Sequence, residues 1–159
     1  MKLNEAIDNA LATVTGFGFG ETLEEQKPYL FIDFKLDEAV GDNGEELTTR
    51  GILWLTDAGK GFDHTLKVLS IVFEWKGENI FEFDKESAGP KFYDITGKKA
   101  RLTVEMQEYK GKSEAKVKWI NSAEHKPKII ARESLKALSD KLKGKVELYR
   151  AKESGDLPF

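Results

Sequence analysis

Hydrophobic and polar positions alternate most clearly in KKARLTVEMQEYKGKSEAKVKWIN, residues 98–121. Period-two alternation of this kind marks strands with one dry face. With Lys110-Gly111 as a two-residue turn, Leu102 faces Trp119, Val104 faces Val117 and Met106 faces Ala115. The opposite face then pairs Glu105 with Lys116 and Thr103 with Lys118, and a one-residue slip would destroy both faces. Three earlier runs also alternate. TGFGFGET places Gly16, Gly18 and Gly20 on one side and Phe17 and Phe19 on the other. PYLFIDFKL sets Tyr29, Phe31, Asp33 and Lys35 against Leu30, Ile32, Phe34 and Leu36, and TRGILWL follows as a third strand.

Helical spacing appears in three places. MKLNEAIDNALATV carries Leu3, Ile7, Ala10, Leu11 and Val14, which predicts an amphipathic helix over 3–14. Thr56 is a candidate N-cap with Asp57 just inside, opening a helix to about Leu69 on Phe62, Leu66 and Leu69. ARESLKALSDKLKG predicts a helix over 131–143 on Leu135, Leu138 and Leu142, ended by Gly144. KVELY then reads as a returning strand, ENIFEF as a short strand or extended cover, and the acidic DEAVGDNGEE as a loop.

Three strands, a helix and a hairpin is the order of the OB fold, and other small barrels and α+β sheets share so coarse a string. The expected class is therefore mainly β: a five-stranded OB-like barrel, with a helix between strands 3 and 4 and another at the C-terminal end. One domain would span residues 1–152, leaving 153–159 as a tail.

Composition narrows the chemistry. The chain has 159 residues, no cysteine and two histidines, which excludes disulfides, thiolate zinc sites and a cysteine nucleophile. Residues 1–49 hold 3 Lys/Arg against 11 Asp/Glu, whereas residues 95–152 hold 16 against 7. The net charge of -3 thus conceals a basic half, the footprint of a surface that meets a polyanion. Solvated surface lysines account for the same count equally well. No stretch is apolar for long enough to span a bilayer, and the N-terminal segment is not a signal peptide, so a cytoplasmic location is expected.

Most catalytic signatures fail along the chain. GKS at Gly111–Ser113 lacks the earlier glycine of a phosphate loop, and GFGFG is not a dinucleotide fingerprint. Asp33-Phe34-Lys35 matches the D-x-K pattern of Mg²⁺-dependent nucleases, although strand alternation produces it by chance. No metal or cofactor is expected. The hairpin remains as a binding surface: Lys98, Lys99, Arg101, Lys110, Lys112, Lys116 and Lys118 surround Tyr109. Lysines that neutralise phosphates beside a ring that stacks on any base suit single-stranded nucleic acid. Phe17 and Phe19 read as barrel interior or as a stacking pair. Trp119, on the apolar face by parity, reads as core with stacking as the alternative. His64 reads as structural or solvent-facing.

PYLFIDFKL, GILWLTDAGK and the hairpin, above all EYKGK leading into KVKWIN, resemble a family of small phage-encoded single-stranded-DNA-binding-like proteins. The resemblance spans about residues 28 to 121 and implies an OB-type fold that coats single-stranded DNA during replication or recombination in the host cytoplasm. Asp156-Leu157-Pro158-Phe159 is similar to the acidic, Phe-terminated tip of bacterial single-stranded-DNA-binding proteins, which implies docking on replication or repair enzymes. The long linker of those proteins is missing here. The expectation is a non-enzymatic DNA binder. Its alternatives are a nuclease using Asp33 and Lys35, or a protein adaptor whose contact surface is the acidic N-terminal third.

Overall fold

The computed structural model describes residues 1–41, 44–56, 61–124 and 131–154, in two compact units, residues 1–125 and 126–159. In the first unit, strands β1 (Ile7–Glu21), β2 (Pro28–Val40), β3 (Glu46–Trp54), β4 (Lys99–Tyr109) and β5 (Lys112–Ser122) form one antiparallel sheet. Its order is β3-β2-β1-β4-β5. β1 serves two partners, pairing with β4 through its first half and with β2 through its second. The sheet curls until its edges, β3 and β5, lie beside each other. Gly51 makes that approach possible, because a Cβ there would stand 3.0 Å from Ile120 Cδ1. This is an OB-like, partly open barrel with helical additions.

The alternation read in the sequence fills it. Val14, Leu30, Ile32, Phe34, Leu53, Leu102 and Val104 point inward and are buried. The β3–β4 connection caps one end. Helix α1 (Gly61–Lys67) runs on as a π-helical turn to Val72 and buries Thr65, Val68 and Leu69. ENIFEF is neither a strand nor extended cover. Asn79 accepts a hydrogen bond from the Phe81 amide, and the Glu82 carboxylate accepts one from the Asn79 amide at 3.0 Å. This capping box winds Ile80–Phe83 into a 3₁₀ turn and lowers Phe83 into the core beside Trp75. A short helix α2 (Lys85–Ala88) and another 3₁₀ turn lead to Tyr93, whose hydroxyl donates to the Phe73 carbonyl.

Two expectations about the chain ends are overturned. Residues 3–14 are not a helix: Met1–Leu3 lies extended along β3, and β1 begins at Ile7. A bulge explains the misleading spacing. Ile7 faces Val104 and Ala10 faces Leu102, so one extra residue lies between them, and Asn9 takes a φ of 51°. An inserted residue turns period two into a step of three, which imitates a helix. At the other end, Gly144 does not stop the helix and KVELY is not a strand. Helix α3 (Arg132–Ser154) runs unbroken for 23 residues in the second unit. A single glycine costs a helix only about 1 kcal/mol, and the Val-Glu-Leu-Tyr-Arg-Ala-Lys that follows sustains it. Among the described residues, no helix is long and apolar enough to cross a membrane.

Candidate nucleic-acid interface

The hairpin forms in the expected register from Val104 to Tyr109, with Glu105 opposite Lys116 and Tyr109 opposite Lys112. Lys110 and Gly111 both take positive φ, 51° and 78°, as a two-residue type I′ turn requires. Towards the barrel the register shifts by one at Lys118, so Trp119 faces Thr103 and Leu102 faces Ile120. The expected Leu102–Trp119 pair is therefore wrong. Ile120 takes the inward place, and Trp119 turns outward with 47% of its surface exposed. The adjacent apolar pair Trp119-Ile120 carried that signal, since only one of two neighbours can face inward.

The basic face divides into fixed and free cations. Arg101 donates from Nε to the Ala123 carbonyl and from Nη1 to the Asn9 carbonyl, at 2.9 and 3.1 Å, pinning the β1 bulge. Lys99 donates to Asp37 and to the Thr13 hydroxyl. Burial pushes the Asp37 carboxyl up, but hydrogen bonds from Lys99 and Thr13 with the Lys99 charge hold it, on balance, below the ordinary aspartate value. Lys98 is half-buried, 5.6 Å from the Tyr93 ring. Lys118 pairs with Glu105 at 2.9 Å and stands 5.8 Å from the Trp119 ring. Lys112 and Lys116 are exposed, as is Tyr109 at 63%, with the Lys110 ammonium 5.4 Å above its ring.

A second surface lies on the outer side of β1, β2 and β3. Gly18 pairs with Phe31 and Gly20 with Tyr29. Added Cβ atoms at these glycines would stand 2.9 Å from Phe31 Cζ and 2.7 Å from Tyr29 Cζ. Both rings therefore lie flat across β1, on backbone that only glycine leaves uncovered. β3 extends this shelf. Trp54 packs edge-on to Tyr29 at 5.7 Å, and the Arg50 guanidinium sits 4.1 Å over Phe31. Asp33 holds Arg50 in place with two hydrogen bonds, at 2.7 and 3.2 Å, and these keep the guanidinium's pKa above its usual value. The Thr65 hydroxyl donates to the Trp54 carbonyl at 2.6 Å, tying α1 to the end of β3.

The two surfaces meet. A groove of about 410 Å³ runs between Ile52 and Trp54 of β3 and Met106, Lys116 and Lys118 of the hairpin, with His64 at its margin. His64 is exposed and contacts Trp119 edge-on at 6.0 Å. Aromatic surface thus continues from Phe31 through Tyr29 and Trp54, across the groove, to His64 and Trp119. Sequence reasoning missed Tyr29, Phe31, Arg50 and Trp54 as site residues. Its signal was present: three glycines on one side of β1, and two aromatic rings on the polar side of the next strand.

The remaining candidates stand apart from this surface. Phe17 stacks on Phe92 at 5.9 Å and meets Phe83 edge-on, packed against the core. Phe19 shares its side of β1 and is 38% exposed. Asp33, the acid of the D-x-K pattern, is engaged by Arg50, and among the described residues no three His, Cys, Asp or Glu side chains gather as a metal site. Asp156, Leu157, Pro158 and Phe159 lie outside the described residues. No protein-family model matches the chain, and no curated protein matches its sequence.

Proposed function

We propose that this chain binds single-stranded DNA without sequence preference, as a phage- or prophage-type protein of replication or recombination. The observation that carries the reading is the outer shelf of Phe31, Tyr29 and Trp54, with Arg50 held over it and lysines across the groove. The exposed Trp54 ring, with the half-buried Tyr29 and Phe31 rings beside it and Arg50 over Phe31, offers stacking to bases of any identity, and flexible lysines on one margin neutralise the backbone that links them. The site proposed from the hairpin thus moves towards the barrel. Lys112, Lys116, Lys118 and Tyr109 remain as its rim, whereas Lys99 and Arg101 serve the fold. The acidic tip, Asp156–Phe159, recruits a replication or recombination enzyme: its phenyl ring suits an apolar pocket and its carboxylates a basic rim.

A fluorescently labelled oligo-dT titrated with full-length protein tests this reading. Binding to the single strand should exceed binding to duplex, and tryptophan emission should be quenched as Trp54 and Trp119 stack. Log affinity should fall against log salt by about 0.7 for each phosphate neutralised. Equal affinity for duplex, with unchanged emission, would overturn it. Removing Asp156–Phe159 should preserve oligonucleotide affinity and abolish capture of the recruited enzyme.

A further inference from the structure

Helix α3 carries an apolar stripe that no function proposed so far uses. Leu135, Leu138, Leu142, Val146 and Tyr149 are each between 40% and 60% exposed. Their spacing is three, four, four, three, and at ~100° per residue they fall within an arc of ~80°. That is the width of a packing seam. The step from Leu135 to Val146, repeated from Leu138 to Tyr149, is an eleven-residue repeat of about 3.67 residues per turn, which runs nearly straight along a helix. The seam is about 21 Å long.

Charge identifies what it fits. Arg132, Lys136, Lys143 and Arg150 flank one side of the stripe, and Lys141, Lys145 and Lys152 flank the other. Every Lys and Arg of the helix lies ~60–120° from the centre of the stripe, while Glu133, Asp140 and Glu147 occupy the opposite side. Glu153 alone falls in line with the seam, where it accepts a hydrogen bond from the Tyr149 hydroxyl at 2.7 Å and closes that end. A second copy of this helix would set cations against cations on both flanks, which disfavours self-pairing.

We infer that α3 is a docking helix for an acidic amphipathic helix of another protein, one whose apolar seam is bordered on both sides by Asp or Glu. The inference uses residues of neither the tail nor the barrel's aromatic shelf. Its test needs neither the natural partner nor DNA.

Two labelled helical peptides serve as probes. Both carry leucines at spacing three, four, four, three; one has Glu at the flanking positions and the other Lys. Full-length protein should bind the Glu peptide in the micromolar range, lose about tenfold in affinity in high salt, and ignore the Lys peptide. Leu138→Ala with Leu142→Ala keeps helix propensity while removing the seam's centre, and should abolish binding. Lys141→Glu with Lys145→Glu should transfer preference towards the Lys peptide. Trp54, Trp75 and Trp119 all lie in the barrel unit, so unchanged tryptophan emission shows that the barrel is intact in each variant. Equal binding of both peptides, or binding that survives the double alanine change, would overturn the inference. So would capture of the protein by phosphatidylserine vesicles, or its dimerisation, if either depends on Leu138 and Leu142 while the Glu peptide does not bind.

Discussion

The hairpin and the outer shelf of β1–β3 are opposites in how they carry their chemistry. The hairpin advertises itself with seven basic residues around a tyrosine, yet its inner half is committed to the fold: Arg101 to backbone carbonyls, Lys99 to Asp37. The shelf contributes one cation, Arg50, which is itself paired with Asp33, but it holds its rings in place. Under the proposed function, a count of charges therefore ranks the two surfaces in the wrong order. Lysine is a flexible, hydrated charge, and on the proposed function a ring ordered by glycine, tryptophan and guanidinium costs less to present to a base.

The largest effect should come from the rings. Phe31→Ala together with Trp54→Ala should weaken oligo-dT binding by about 1–3 kcal/mol for each stacked base lost, with a modest loss of thermal stability because Phe31 is half-buried against Gly18. Lys116→Glu together with Lys118→Glu should cost less and should mainly flatten the salt dependence. Fluorescence titration at two salt concentrations separates the outcomes. If the lysine pair costs more than the ring pair, the hairpin is the principal site and the comparison inverts.

Arg101 tests the other side. Its two hydrogen bonds hold a bulge in which the Asn9 Oδ1 is buried without a partner, so Arg101→Ala should lower folding stability by about 1–3 kcal/mol. Denaturant unfolding reads that loss. Oligonucleotide affinity under native conditions should stay within about twofold, because no phosphate contact is removed. A large loss of affinity without loss of stability would return Arg101 to the binding surface.

Much of this architecture was legible because alternation and burial agree. β2, β3, the outer half of the hairpin and the inward row Leu30, Ile32, Phe34 follow directly from it. The misreadings of β1 and β5 share one cause. Bulges at Asn9 and at Lys118 each insert a residue, and each moved a side chain to the wrong side: one made β1 look helical, the other hid Trp119 in the core. A phase break leaves no mark in composition, because it depends on what the neighbouring strand needs opposite it. The shelf was missed for a different reason. Gly18 and Phe31 are unremarkable apart, and their meaning as a pair appears only once β1 and β2 are in register.

That pairing predicts a smaller and more selective effect. Gly18→Ala places a methyl group where the Phe31 ring lies, 2.9 Å from Cζ. The ring is on the surface and can swing aside, so the fold should survive. Its displacement should disturb the stacking of Arg50 and weaken oligo-dT binding a few-fold, about 0.5–1 kcal/mol. Ring-current shifts of Phe31 neighbours in an NMR spectrum would report the movement. Unchanged affinity with a displaced ring would mean that Phe31 contributes nothing as placed.

The smallest effect concerns Lys99. The folded-state pKa of Asp37 is lowered, so the pair's contribution to stability is fully present above the unfolded aspartate value, about 3.9, and is lost as pH falls through the lower folded value. Lys99 is half exposed and water screens the pair, so less than about 1 kcal/mol is at stake. Asp37→Asn imposes the same loss at neutral pH without the other carboxylates. It should remove this acid-side dependence and free the Lys99 ammonium for a phosphate. Unfolding measured at pH 7 and pH 3 should show a smaller difference for the variant than for the parent, while its oligonucleotide affinity at pH 7 should hold or rise slightly. A fall in affinity would show that the Asp37–Lys99 pair orders the binding face as well as the barrel, and the division between fixed and free cations would then have to be redrawn at the strand ends.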